Sequence, residues 1–246
     1  RILWLQGFPD QAIRTAENSV EEARAANHVL SLCYALAQAA CPTALWVGDV
    51  AAAESYLKVL LDQSTRHSLP LWAALGRCDW GVLLIKRGDL DAGLRLLRAG
   101  YNEVGRVAWR LATFRDAVAG EALGRTGKIG DGLVLIEEAI DHAERTEERW
   151  VFAELLRVKG ELLLLQGAPG AGATAEDHFR QALDWAHRQG ALSWELRAAT
   201  SLARLLRDQS RAADALALLR PVYDRFTEGF DTADLKAAKA LVDALQ

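Results

Sequence analysis

The sequence contains no methionine, only three cysteines and only five prolines among its 246 residues. Long apolar runs are also missing. The most apolar stretch, residues 155–165, contains three charged residues, whereas a membrane span needs about 18 consecutive apolar residues. We therefore expect no contact with a membrane. The absence of methionine, the opening residues Arg-Ile-Leu-Trp and the absence of a signal peptide favour a segment cut from a longer cytoplasmic protein.

Cysteines and histidines are too few and too scattered for a disulfide framework or a metal site. The three cysteines are an odd number without a CxxC pair, and this favours a reducing compartment. No two histidines have the i, i+4 spacing that places two ligands on one face of a helix. Carboxylate pairs such as Glu137-Glu138 are adjacent and point to different sides of a helix. The sequence therefore predicts no metal site and no catalytic residue.

Positive charge is not in excess either. The formal net charge is -4 and the sequence pI is about 5.8, whereas binding to nucleic acid through its phosphates needs a basic face. We therefore expect no nucleic-acid partner. Apolar residues make up 51% of the chain, which is enough for a large core. Ala, Leu, Arg and Glu are abundant in the chain as a whole. These residue types favour helix.

One loop has the glycine spacing of a phosphate-binding loop. It runs from Gly167 to Thr174, but Ala173 occupies the position of the lysine that would contact the phosphates. A helical pattern precedes the loop, where a nucleotide-binding loop would follow a strand. We interpret it as a connection between helices and predict no cofactor.

A repeat with a nearly constant period runs through the chain. Glycines that each follow an apolar-periodic segment recur at intervals of roughly 40 residues, a period within the range of helix-pair repeats. A serine continues the series after the last of them. These positions are Gly7, Gly48, Gly88, Gly127, Gly167 and Ser210. A glycine in the left-handed conformation commonly ends a helix. Each position is therefore predicted to be the turn between two helices of a pair.

Small residues recur at fixed distances from these turns. Seven residues before the turn stand Cys41, Gly81, Gly120, Gly160 and Ala203. Five residues after it stand Ala12, Ala53, Gly93, Gly132 and Ala215, and Ala175 takes this place in the fifth repeat, where the loop is three residues longer. A glycine inside a helix costs about 1 kcal/mol relative to alanine. Its recurrence therefore predicts close packing of the two helices in each pair.

The predicted fold is all-α without a sheet, and we expect a helix content above about 70%, against roughly one-third in ordinary globular proteins. We expect a single domain, residues 1–246, forming a right-handed superhelical solenoid of about six helix-pair repeats of the tetratricopeptide type. The predicted pairs are 1–26, 29–67, 70–105, 109–145, 149–189 and 191–226, and a capping helix is predicted at 232–245. In four of the pairs a tryptophan lies near the start of the first helix, and we expect it to pack between neighbouring repeats. These tryptophans are Trp72, Trp109, Trp150 and Trp194.

The first helices of such arrays line a concave surface, and this surface is the predicted binding site. Candidate residues lie on the faces that the small-residue seam does not use: Trp46, Lys86, Phe114, Glu121, Arg125, Arg157, Glu161, Arg197, Arg204 and Arg207. Glu154 and Glu161 are predicted to pair with Arg157. Arg197, Arg204 and Arg207 would then be free to bind a carboxylate or an acidic peptide, with Trp46 and Phe114 as apolar anchors. The alternative is a solvated charged stripe.

The C-terminal hundred residues carry a more specific resemblance. It rests on four stretches: ERWVFAELLRVKGELLL, AEDHFRQALDWAHRQG, SWELRAATSLARLL and PVYDRFTEGFDTADLKAAKALVDAL. Together they resemble the tetratricopeptide-like C-terminal repeats of large bacterial signalling ATPases, in which a nucleotidyl cyclase or winged-helix domain precedes the ATPase module. The match is specific from about Trp150 to Gln246 and looser from Leu5 to Arg149.

The resemblance implies a sensory or regulatory interaction domain in a cytoplasmic bacterial protein. It transfers neither ATPase nor cyclase activity, because the repeat region of that family holds no catalytic residues. Our first hypothesis is a scaffold for a protein or peptide, such as an upstream ATPase or cyclase module of the same chain. The second is a sensor that encloses a small inducer, such as a sugar or an acyl ligand. The sequence leaves the oligomeric state open.

Overall fold

A computed structural model describes residues 1–104 and 113–246 of the chain. Of these described residues 83% are helical, and none forms a β-strand. Consecutive helices pack against one another in pairs. The prediction of an all-α and predominantly helical fold is confirmed.

Fourteen α-helices are numbered here over the described residues. In chain order they are α1 (Ile2–Leu5), α2 (Pro9–Ala25), α3 (Val29–Ala35), α4 (Cys41–Val47), α5 (Val50–Arg66), α6 (Pro70–Lys86), α7 (Leu90–Val104), α8 (Thr113–Arg125), α9 (Ile129–Thr146), α10 (Phe152–Gln166), α11 (Ala171–Arg188), α12 (Leu192–Asp208), α13 (Ala212–Tyr223) and α14 (Ala233–Ala244). A π-helical turn, Leu36–Ala40, joins α3 to α4, and a 3₁₀ turn, Arg149–Val151, precedes α10. Trp109, with the start of the predicted pair 109–145, lies outside the described residues.

Contacts between the helices divide the chain into two compact units. The first consists of Arg1–Trp4 and Pro9–Arg115, and the second of Leu5–Phe8 and Asp116–Gln246. The short segment Leu5–Phe8 belongs to the second unit, where a Cβ atom on Gly7 would lie 2.6 Å from Leu192 Cδ2. Sequence periodicity gave no sign of this long-range contact. That residues 1–246 form one domain stays a prediction.

The turns of the repeat adopt the left-handed conformation expected of them. The five turn glycines have φ between 68° and 94°, and Ser210 has φ 62°. A second series, which the sequence analysis missed, follows the second helix of four of the predicted pairs. It consists of Asn27, Ser68, Glu147 and Gly190, with φ between 49° and 62°. Only one of these four residues is glycine, so the series has no compositional signature.

Gly127 is a position where the stability cost of a side chain in the left-handed conformation can be measured. Its φ is 81° and a Cβ atom there would meet nothing within 4 Å, so Gly127→Ala introduces backbone strain without a clash. We expect it to lower the free energy of unfolding by about 1 kcal/mol. Gly130→Ala is the matched control, because Gly130 is helical and equally open. That change should raise stability by up to about 1 kcal/mol. Urea denaturation followed by circular dichroism measures both changes in the free energy of unfolding. If both variants changed it in the same direction, the left-handed backbone at Gly127 would not explain the loss.

The small-residue seam is confirmed by the close approach of paired helices. In the first unit, a Cβ atom on Gly93 of α7 would lie 2.7 Å from the carbonyl oxygen of Gly81 in α6. In the second unit, a Cβ atom on Gly120 of α8 would lie 2.6 Å from Ile136 Cδ1 of α9. A Cβ atom at either position would force its neighbour to shift. At Gly93 that neighbour is a backbone carbonyl group, so glycine is required there by packing, whereas at Gly120 the Ile136 side chain would have to move.

The continuous helical segment Val29–Val47, formed by α3, the π-helical turn and α4, has the length and apolar composition of a membrane span. The expectation that no stretch reaches this length is therefore wrong. About half of its apolar window (56%) is buried inside the protein, and Cys33, Leu36 and Leu45 are almost fully covered. Core helices of soluble proteins that are mostly buried can have the same length and composition.

Candidate functional site

Six charged side chains and one serine from four helices of the second unit form one connected array, which we call the ion-pair network. Its members are Glu121 of α8, Glu154, Arg157 and Glu161 of α10, Arg197 and Ser201 of α12, and Asp234 of α14. Four of these seven residues were predicted site residues: Glu121, Arg157, Glu161 and Arg197. The structure brings these four together.

Helical spacing explains why each helix presents its charges on one side. Glu154, Arg157 and Glu161 stand at i, i+3 and i+7 on α10, and Arg197 and Ser201 stand at i and i+4 on α12. Residues at these spacings lie above one another on one face of a helix. The two faces meet directly, since Ser201 Oγ donates to Glu161 Oε1 at 2.6 Å. The network is thus local on each helix and long-range between helices.

Glu154 is the centre of the network. Arg157 Nε donates to Glu154 Oε2 at 2.7 Å, and Arg197 Nη1 donates to Glu154 Oε1 at 3.0 Å. The Glu154 side chain is only 5% exposed. Burial alone raises the pKa of this carboxyl group, but the two guanidinium groups outweigh burial and lower the pKa to about 2. Glu154 is therefore a buried anion held between two cations.

The outer members of the network are carboxylates. Arg157 Nη2 donates to Glu121 Oε2 at 2.8 Å, and Nη1 of the same residue lies 3.5 Å from Glu161 Oε1. Arg197 Nε donates to Asp234 Oδ2 at 2.7 Å. The arginine side chains are 11% and 13% exposed, against 44% for Glu121, 31% for Glu161 and 29% for Asp234. Four carboxylates enclose two guanidinium groups. The surface that the network offers to solvent is consequently acidic.

Two expectations about the arginines have different outcomes. The predicted pairing of Arg157 with Glu154 and Glu161 is confirmed. The expectation that Arg197 is a free donor is wrong, because its guanidinium group binds Glu154 and Asp234 and also lies 5.0 Å from the Trp194 ring centroid. Its partner Glu154 belongs to α10 and lies 43 residues before Arg197 in the sequence, and its partner Asp234 belongs to α14 and lies 37 residues after it. Spacing within α12 could not show them.

The remaining basic candidates are exposed. Arg204 and Arg207 are exposed on the C-terminal half of α12, and Arg207 pairs with the adjacent Asp208 at 2.9 Å. Arg125 is exposed in the last turn of α8. Lys86 is exposed in the last turn of α6, in the first unit. Among the described residues of the second unit, Arg125, Arg204 and Arg207 form no ion pair with the network.

The two aromatic candidates are core residues of the first unit. Trp46 is 3% exposed and Phe114 is 7% exposed. The Trp46 ring centroid lies 5.2 Å from that of Trp4 and 5.9 Å from that of Phe114. The hypothesis that they are surface anchors is wrong. A helical pattern shows which positions avoid the seam, but only packing against other helices shows which of those positions are covered.

The first unit contains a buried ion pair of its own. Arg115 Nε donates to Asp79 Oδ1 at 2.7 Å, and the two side chains are 7% and 5% exposed. Burial lowers the pKa of Arg115, but the Asp79 carboxylate outweighs burial and holds it above its usual range. The pair spans 36 residues of sequence, the same separation as Arg157 and Glu121. The two pairs nevertheless stand at different positions of the repeat, because Arg115 lies 12 residues before its turn at Gly127 and Arg157 lies 10 residues before Gly167.

Metal-ligating residues do not gather in the described part of the chain, where no three His, Cys, Asp or Glu side chains come close enough to hold an ion. Cys33, Cys41 and Cys78 are free and buried. Comparison of the chain with models of protein families gave no match, and neither did comparison with curated proteins. The arguments about function below therefore rest on the residues and their geometry.

Proposed function

We propose that this chain is a non-catalytic scaffold that binds a protein or peptide, and that it serves as the sensory or regulatory part of a larger bacterial cytoplasmic signalling protein. The proposal includes the tetratricopeptide type of the repeats, their right-handed superhelix and the resemblance to the repeat region of signalling ATPases. The observation that carries it is the ion-pair network, which holds partly exposed carboxylates at fixed positions along several helices.

The chemistry of this surface favours a basic partner. Glu121, Glu161 and Asp234 each contact a buried arginine and leave part of the carboxylate open to solvent. Because the arginines already orient these acceptors, binding a cationic side chain loses little side-chain entropy. An acidic peptide would find the guanidinium groups of Arg157 and Arg197 occupied. Only Arg204 and Arg207 would be available to it on α12.

Binding of short labelled peptides tests this preference. A 12-residue peptide of alternating Lys and Ala should bind, and one of alternating Glu and Ala should not, as measured by fluorescence anisotropy. Replacing Glu121 and Glu161 together with Gln should weaken binding about three- to tenfold, since exposed charge pairs contribute roughly 0.2–1 kcal/mol each. Added salt should weaken it further.

A matched control removes the same charge elsewhere on the second unit. Glu138 and Glu144 are exposed on α9, outside the network, and their joint replacement with Gln should leave binding unchanged. Equal weakening by both double variants would reduce the effect to net charge and contradict the proposed site. Tight binding of the acidic peptide that is lost on Arg204→Ala with Arg207→Ala would instead establish the basic stripe as the binding surface.

A further inference from the structure

A narrow cleft opens in the first unit between α2, the segment formed by the π-helical turn and α4, and α5. Residues of all three segments line it, among them Ile13, Glu17, Thr43, Val47, Asp49 and Tyr56. The space inside it amounts to about 40 Å³, whereas a single water needs roughly 10–15 Å³ on the same measure. The cleft therefore admits a slim chain of a few atoms and no large ligand.

Backbone irregularity and small side chains create this space. Pro42 lacks an N–H group and would clash with the carbonyl group of residue 38 in a regular α-helix. The π-helical turn Leu36–Ala40 ends two residues before Pro42, and such turns often accompany functional sites. Alanine occupies four of the ten lining positions. The cleft is consequently a gap that the neighbouring side chains are too short to fill.

Thr43 is the buried polar group of the cleft. The residue is 3% exposed and lines the cleft, and its hydroxyl makes no hydrogen bond to any residue that the structure describes. The hydroxyl oxygen is not fully enclosed by protein. It is therefore open to the cleft, where water or a ligand can bind it.

Two carboxylates give the cleft a negative charge. Glu17 and Asp49 are exposed lining residues, and Asp49 Oδ1 is held in place by the backbone N–H of Ala52 at 2.9 Å. The pKa of Tyr56 is raised, first by burial and then by the charges of Glu17 and Asp49. Arg24 acts on Tyr56 in the opposite direction but does not line the cleft. The cleft thus combines apolar walls with acidic groups.

We propose that this cleft binds a primary ammonium group carried on an unbranched aliphatic stem, as in a lysine side chain or a linear alkylamine. The stem would contact Ile13, Ala44 and Val47. The three ammonium N–H donors match the acceptors that the cleft provides in Thr43, Glu17 and Asp49. The site lies within the first unit and shares no residue with the ion-pair network. The experiments on this cleft therefore test it independently of the proposed function.

Saturation-transfer NMR with n-butylammonium at pH 7 tests the site, with 1-butanol as a neutral probe of the same shape. We expect saturation transfer to butylammonium, and little to butanol. N-acetyl-lysine methylamide distinguishes the two sources of the ligand. Binding as strong as that of butylammonium indicates a lysine side chain of a partner, and weaker binding indicates a free amine. Equal transfer to butanol, or none to butylammonium at 50 mM, would overturn the proposal.

Variants of the lining residues locate the binding. Thr43→Val keeps the side-chain shape and removes the hydroxyl, and Glu17→Gln removes a charge at an exposed position. Each should weaken butylammonium binding at least fivefold, whereas Glu21→Gln, an exposed change elsewhere on α2, should leave it unchanged. Replacing Glu121 and Glu161 with Gln should also leave it unchanged, and this separates the cleft from the peptide site. Equal effects of Glu17→Gln and Glu21→Gln would contradict the assignment.

Discussion

Replacing Glu154 with alanine is expected to lower the free energy of unfolding of the second unit by about 3–5 kcal/mol, because it leaves buried guanidinium groups without their shared anion. Arg157 and Arg197 both bind this carboxylate, and their side chains are 11% and 13% exposed. Chemical denaturation followed by circular dichroism at 222 nm measures the loss. Thermal unfolding should show it as a lower midpoint.

Glu121→Ala is the matched control for this variant. Glu121 also binds Arg157, at 2.8 Å, but its side chain is 44% exposed. Water can replace it, so the expected loss is at most about 1 kcal/mol. If the two variants lost the same stability, burial of Glu154 would have no special importance. Arg157 would then be held by its other contacts.

The contribution of Glu154 also has a defined dependence on pH. Its pKa in the folded protein, about 2, lies below the ordinary carboxyl value of 4.5. A depressed pKa stabilises the folded state above the ordinary value, and this stabilisation disappears as the pH falls towards the folded pKa. Wild type and Glu154→Gln should therefore converge in stability between pH 4.5 and pH 2. A constant difference across this window would contradict the ionised state of Glu154.

Gly160→Leu should destabilise the second unit by about 1–3 kcal/mol or more, because it forces bulk into a close helix crossing. A Cβ atom on Gly160 of α10 would already lie 2.6 Å from Phe179 Cε1 of α11. Phe179 is fully buried in the core of that unit, so its ring has little room to move. Urea denaturation of the purified variant measures the effect.

Two further variants test the cause of this loss. Gly130→Leu places the same side chain where a Cβ atom meets nothing within 4 Å, and it should be neutral or slightly stabilising because leucine favours helix. Combining Gly160→Leu with Phe179→Ala should cost less than the sum of the two single changes, since the smaller residue vacates the space that leucine needs. Additive costs would mean that the two residues do not compete for that space.

Local structure was predictable from the sequence because it depends on neighbours within a few residues. Gly48 and Gly127 end their helices in the left-handed conformation, and Ser210 does so without being glycine. The spacing of Gly160 from its turn indicated a close helix crossing, and the structure places the Phe179 ring against it. Each inference needed only the periodicity of the helix and the steric limits of the backbone.

Tertiary structure alone decided which surface positions are covered and which charges are paired. Arg197 and Arg204 look alike along α12, yet Arg197 is held by residues 43 positions before it and 37 positions after it while Arg204 faces solvent. Trp46 likewise became a core residue through its contacts with Trp4 and Phe114. Such contacts depend on how separate helices stack. The energy of a charge or an aromatic ring changes with burial, and burial is a property of the whole packed unit.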